Sequence, residues 1–124
     1  MAKDRINVIR KILVLIITMA MIMMMSNTAF AAVHMSGSNF SELHRHSTYA
    51  DAGTTTGITN ARCLVIVTAF SGNGGQTNYA DAIASAYTDV NAPGTSCTKA
   101  TSSHRVYETG LGGSVTYYSH TLEE

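Results

Sequence analysis

The stretch Cys63-Leu-Val-Ile-Val-Thr-Ala-Phe70 (CLVIVTAF) decides the fold. In an extended chain Leu64, Ile66 and Phe70 fall on one side, and Cys63, Val65, Val67 and Ala69 on the other. Apolar side chains on both sides predict a central strand covered on both faces.

Outward from this strand the chain is cut into short pieces by turn-forming clusters: DAGTTTGITN (Asp51–Asn60), SGNGGQ (Ser71–Gln76), NAPG (Asn91–Gly94) and ETGLGG (Glu108–Gly113). Glycine supplies positive φ in such places, and Pro93-Gly94 fits the middle of a turn. The pieces between them read as strands near Ser41–Ala50, Arg62–Phe70, Asn78–Val90, Thr98–Tyr107 and Ser114–Leu122. Asn78–Val90 is contested, because Ala80, Ile83, Ala84 and Tyr87 also stand at helical spacing behind a cap at Thr77 or Asn78. Strict alternation of Tyr79, Asp81, Ile83, Ser85 and Tyr87 with alanines favours strand, and an alanine-lined face would let a second layer approach closely. SSHRVYETGLGGSVTYYSH reads as a hairpin, in a register that puts His104, Val106, Val115 and Tyr117 on one face. Tyr-Ala-Asp-Ala recurs at 49–52 and 79–82, but the flanks share too little for a repeat architecture.

The first 31 residues have a different character. Lys3, Arg5, Arg10 and Lys11 precede fourteen uncharged residues, Ile12–Met25, and small Ala29 and Ala31 follow. That order is expected of a cleavable secretory signal spanning 1–31, with the cut after Ala31; a bilayer span needs roughly 20 apolar residues. A flexible segment at 32–40 and a single domain at 41–124 are then expected. The portion from Ala32 onward holds four Lys/Arg against seven Asp/Glu, a formal charge of −3 beneath the neutral whole. Four scattered cations cannot neutralise a run of phosphates, which argues against nucleic acid as a partner. No apolar tail follows that could anchor the chain, so release outside the cell or into the periplasm is expected.

Of those 93 residues 25 are Ser or Thr, and the large side chains are mainly Tyr, a profile that favours strands. The expectation is all-β: a small antiparallel β-sandwich of about five to seven strands behind the signal. Cys63 and Cys97 are the only cysteines, and an even count in an exported chain predicts a disulfide between them. There is no C-x-x-C for zinc, and Cys63 looks buried rather than activated.

Catalytic motifs are lacking. SGNGGQ has neither the Lys-Ser/Thr of a P-loop nor dinucleotide spacing, and no G-x-S-x-G occurs. Asp51, Asp81, Asp89 and Glu108 are dispersed. The chain is therefore read as a non-enzyme with no required cofactor. The histidines are the suggestive residues. His44 and His46 in ELHRHS share a strand face about 7 Å apart, close enough to reach one ion. If Ala32 becomes the amino terminus, its amine, the Val33 and His34 amides and the His34 imidazole form a four-nitrogen set suited to Cu(II) or Ni(II). The expected function is an extracellular or envelope binding module with an unknown partner. A secreted antibacterial toxin is the first alternative and minor metal carriage through Ala32, His34, His44 and His46 the second.

Overall fold

The computed structural model describes residues 2–26, 30–94 and 96–124. A helix, α1 (Ala2–Ser26), precedes eight strands: β1 (Phe30–Ser36), β2 (Asn39–Arg45), β3 (Tyr49–Thr56), β4 (Arg62–Ser71), β5 (Gly74–Ile83), β6 (Ser85–Asn91), β7 (Lys99–Gly110) and β8 (Gly113–Glu123). They form two four-stranded antiparallel sheets, β1-β2-β3-β6 and β5-β4-β7-β8, packed face to face. The all-β sandwich is as expected, with eight strands. Among the described residues no helix is long and apolar enough to cross a membrane.

The β4 strand lies inside its sheet, and its inner row Cys63, Val65, Val67 and Ala69 is wholly buried. Its other row is not covered: Leu64, Thr68 and Phe70 are half-buried and Ile66 is exposed. Only one side faces a second layer, so the expectation of burial on both faces fails. The inner rows elsewhere are small or polar. Ala50, Ala52, Ala86 and Ala100 are buried, as are Ser41, Thr54, Thr88 and Ser102, with Leu43, Val106 and Tyr118 as the larger fillers.

Three boundaries differ from the sequence reading. The flexible segment expected at 32–40 is instead strand β1 and the start of β2, because β1 pairs with β2 through seven residues, from Phe30 opposite Arg45 to Ser36 opposite Asn39. The expected cut after Ala31 falls inside β1. The strand expected at Ser41–Ala50 is broken at residues 46–48, where the His46 amide donates to the Tyr49 carbonyl. The turn expected at 51–60 begins only after Thr56, since β3 is held on both sides by β2 and β6. A Cβ on Gly53 would lie 3.2 Å from Glu42 Oε1 and 3.5 Å from the Tyr87 ring, so this glycine is a strand residue chosen for close cover, not for a turn.

Asn78–Val90 is extended, as the alternation indicated, but it serves two sheets. Ala84, with φ of +69°, separates β5 from β6 and carries the chain from one sheet to the other in one residue. The corner is clamped: the Ala84 amide donates to Ala61 O at 3.0 Å, and Ala84 O accepts from the Thr56 amide at 3.0 Å and from Cys63 Sγ at 3.4 Å.

The cysteines are both buried and both free. Cys63 sits at one end of β4, whereas Cys97 lies beyond the other, its amide donating to Ser47 O and the next amide, Thr98, to Phe70 O. Seven residues of strand separate the two places by about 23 Å, far outside the 7 Å that a disulfide spans between Cα atoms. The predicted Cys63–Cys97 bond is therefore replaced by two thiols with backbone acceptors, Cys97 Sγ lying 3.4 Å from Lys99 O.

Two outcomes follow from this geometry. Protein unfolded in denaturant without reductant should show two reactive thiols per chain by thiol titration; an oxidised intramolecular pair would contradict the fold. Because an L-residue at positive φ is strained, Ala84→Gly should stabilise the protein by ~0.5–1 kcal/mol, read as an upward shift of the denaturation midpoint.

Candidate functional site

The histidines separate onto two surfaces. His44 and His46 lie on the outer side of the β1-β2-β3-β6 sheet with ring centroids 6.4 Å apart and planes 16° apart, on one face as expected. They do not converge. His44 Nε2 is 3.0 Å from Glu42 Oε2, and His46 Nε2 is 2.5 Å from Asp51 Oδ2 with its ring stacked on Tyr49 at 4.1 Å. Each imidazole is spent on a carboxylate, and among the described residues no group of three or more His, Cys, Asp or Glu is placed to hold a metal ion. Tyr87 closes this cluster. Its phenol is pushed up to about 12 by partial desolvation and by the Asp51 and Asp89 carboxylates, so it stays protonated.

Ala32 and His34 lie in β1, opposite Leu43 and Ser41. Successive amides of a strand point to opposite sides, so the Val33 and His34 nitrogens cannot share a plane around one ion while β1 stays paired. The four-nitrogen Cu(II) or Ni(II) set is thus not built by this fold. His34 turns inward instead, its Nδ1 2.8 Å from the Tyr118 hydroxyl and its ring stacked on His120 with centroids 3.7 Å apart.

This inner grouping was hidden from the sequence by a β-bulge. The β7–β8 register shifts between Val106 and Tyr107, so that Val106 faces Tyr118 and His104 faces His120. Tyr117, expected beside His104, is the extra residue and lies exposed, donating to Glu108 Oε2. His104 is completely buried between Thr54 Oγ1 (2.7 Å from Nδ1) and Ser102 Oγ (2.6 Å from Nε2). A neutral imidazole has one donor and one acceptor, and the two hydroxyls satisfy both. Burial first, then the neighbouring His120, lowers His104 to about 4. The pair Ser102–His104 has the elements of a nucleophile and base but is sealed from solvent, so its role is to satisfy the core.

The outer side of the β5-β4-β7-β8 sheet is different. Ile66 stands directly opposite Tyr79, and Arg62 opposite Ile83 and Tyr107. Tyr79 and Ile83 are 69% and 62% exposed, on a sheet face rather than in a loop. A fixed polar frame surrounds them. Arg62 Nε donates to Asp81 Oδ1 at 3.0 Å, the Tyr107 hydroxyl donates to Asp81 Oδ2, and the Arg105 guanidinium sits 4.6 Å over the Tyr107 ring. The Asp81 acceptor holds the Tyr107 phenol above its ordinary value. Arg105 is itself pinned by Thr116 at 2.8 Å and Ser114 at 3.2 Å. Phe70 lies across Gly75, where a Cβ would be 2.8 Å from the ring. Beside Ile66 the surface dips into a depression of about 250 Å³ between Thr68, Thr101, Ser103 and Thr121. Exposed Tyr, Ile and Arg on a rigid support have the composition of contact surfaces. The alternation in CLVIVTAF and TNYADAI already carried the signal: in the first the outer row reads as burial, and in the second the tyrosine and isoleucine row opposite the alanines is the one left outside.

No protein-family model, curated protein or solved structure matches the chain.

His104 sets an acid response. Its folded value near 4 lies below the unfolded value near 6.5, so between these pH values the unfolded chain binds more protons and stability rises with pH. Acidification from pH 6.5 to 4 should remove about 3 kcal/mol through this group. Denaturant titrations of wild type and His104→Gln across that range should differ by this slope, and equal slopes would show that His104 is not the buried neutral group.

Proposed function

We propose that the protein is an exported interaction module that binds a protein partner outside the cell or in the envelope by contact, without catalysis, through the outer face of the β5-β4-β7-β8 sheet. One observation carries the reading: Tyr79, Ile83 and Ile66 are presented together on one outer sheet face, framed by Arg62, Asp81, Tyr107 and Arg105. Outward strand positions need no large apolar side chain for folding, and their clustering here favours removal from water by a partner. The frame lowers the ordering cost of binding, because Arg and Tyr side chains already held in place have less freedom to lose. The small-residue depression beside Ile66 fits one large side chain of that partner. The leader of basic, apolar and small residues supports export.

The experiment is saturable binding of the labelled protein to envelope fragments of the producing cell. Tyr79→Ala with Ile83→Ser should weaken it at least tenfold while leaving the denaturation midpoint within a few degrees. Tyr87→Ala, on the opposite face, should leave it unchanged. Absence of saturable binding, or equal binding by the double variant, overturns the reading.

A further inference from the structure

We propose that the seam between β1 and β8 is an acid-operated latch: protonation of the stacked pair His34 and His120 opens the edge strand β1. The strand is weakly held from within. Among the described side chains its half-buried inward residues are Ala32 and His34, while Val33 and Met35 point outward and are 53% and 68% exposed. Among the described side chains, His34 is the one that both hydrogen-bonds and stacks across to the opposite sheet.

That tie is a relay of hydroxyls. Tyr118 Oη lies 2.8 Å from His34 Nδ1 and 2.7 Å from Ser41 Oγ. With the neutral His34 ring carrying its hydrogen on Nε2, the phenol donates to Nδ1 and Ser41 donates to the phenol oxygen. A proton arriving on Nδ1 turns that nitrogen into a donor. Tyr118 must then rotate its hydrogen toward Ser41, which must in turn point its own hydrogen elsewhere within a buried site. One protonation reverses the whole chain.

The second ring makes the reversal a switch. His120 stacks on His34 at 3.7 Å with planes 13° apart, a geometry suited to two neutral rings or one charge but not to two. The groups facing this pair from every packed element are Tyr118 on β8, Ser41 on β2 and His104 on β7, with Thr54 of β3 behind His104. Among the described residues, no carboxylate hydrogen-bonds or stacks with His34, His104 or His120. A second proton thus meets no counter-charge, and separation of β1 from β8 is the route by which the rings regain water. Once β1 lifts, the hydrogen-bonding edge of β2 is left open to another strand.

The test is hydrogen exchange of the β1 amides, corrected for the intrinsic pH dependence of exchange. Between pH 7.5 and 5.5 their protection should fall at least tenfold, while the β4 amides keep theirs. In His34→Gln and His120→Gln, which cannot gain the charge, the step should vanish. Unchanged β1 protection in the wild type, or a step that survives in either variant, overturns the latch. Should the glutamine variants fail to fold, His34→Phe and His120→Phe, which keep a stacked ring but offer no nitrogen to the proton, take their place, and a step that survives in either overturns the latch.

Discussion

Everything in this sandwich depends on how near its two sheets come to each other. The facing rows are built from alanine, serine and threonine, and Leu43, Val65, Val67, Val106 and Tyr118 supply most of the bulk. Small side chains bury little apolar area each, so the hydrophobic contribution per residue is modest. The hydroxyls on these rows are buried away from solvent. The inward polar groups must therefore satisfy one another: Thr56 Oγ1 donates to Asn39 Oδ1 at 2.7 Å, Thr54 and Ser102 bracket His104, and Ser41 meets Tyr118. A network of this kind tolerates only the arrangement in which every member is paired, and in that way it fixes the register of the sheets.

The parts of the fold that were legible in the sequence are those in which side-chain alternation and backbone conformation agree. Val65 and Val67 inside β4, the strand character of Asn78–Val90 and the hairpins at Ser71–Gln76 and Glu108–Gly113 all belong to this group. What stayed hidden has a physical cause in each case. Ala84 holds a positive φ that alanine rarely adopts, so no residue type announced the crossing. Gly53 among three threonines resembles a turn, yet it is a strand position covered by Glu42 and Tyr87. The cysteines suggested a bond by their number, and only the length of β4 shows how far apart they lie. The histidine grouping depended on one extra residue at Tyr117, which moves Tyr118 and His120 inward.

The two outer faces divide the remaining chemistry. One carries Glu42, Asp51 and Asp89 with their imidazole and phenol partners, a surface whose charges are largely answered internally. The other exposes apolar rings and chains inside a frame of paired charges. Charge pairs at such exposure add little to stability, and their value lies in orientation. His44 and His46 illustrate the limit of spacing as a guide: they share a face as expected, but Glu42 of the same strand occupies His44 and Asp51 of the neighbouring strand occupies His46.

The single-residue passage at Ala84 gives the molecule a spine. Along that side β5 and β6, the margins of different sheets, are joined by the backbone itself, reinforced by hydrogen bonds from Thr56 and to Ala61. Along the far side β1 and β8 are margins too, and among the described residues it is side chains that join them. The two layers thus resemble the covers of a book, bound at one edge and merely resting shut at the other. Thermal opening, chemical modification or the entry of a foreign strand should begin at the unbound edge, and the covers can part there while the binding holds.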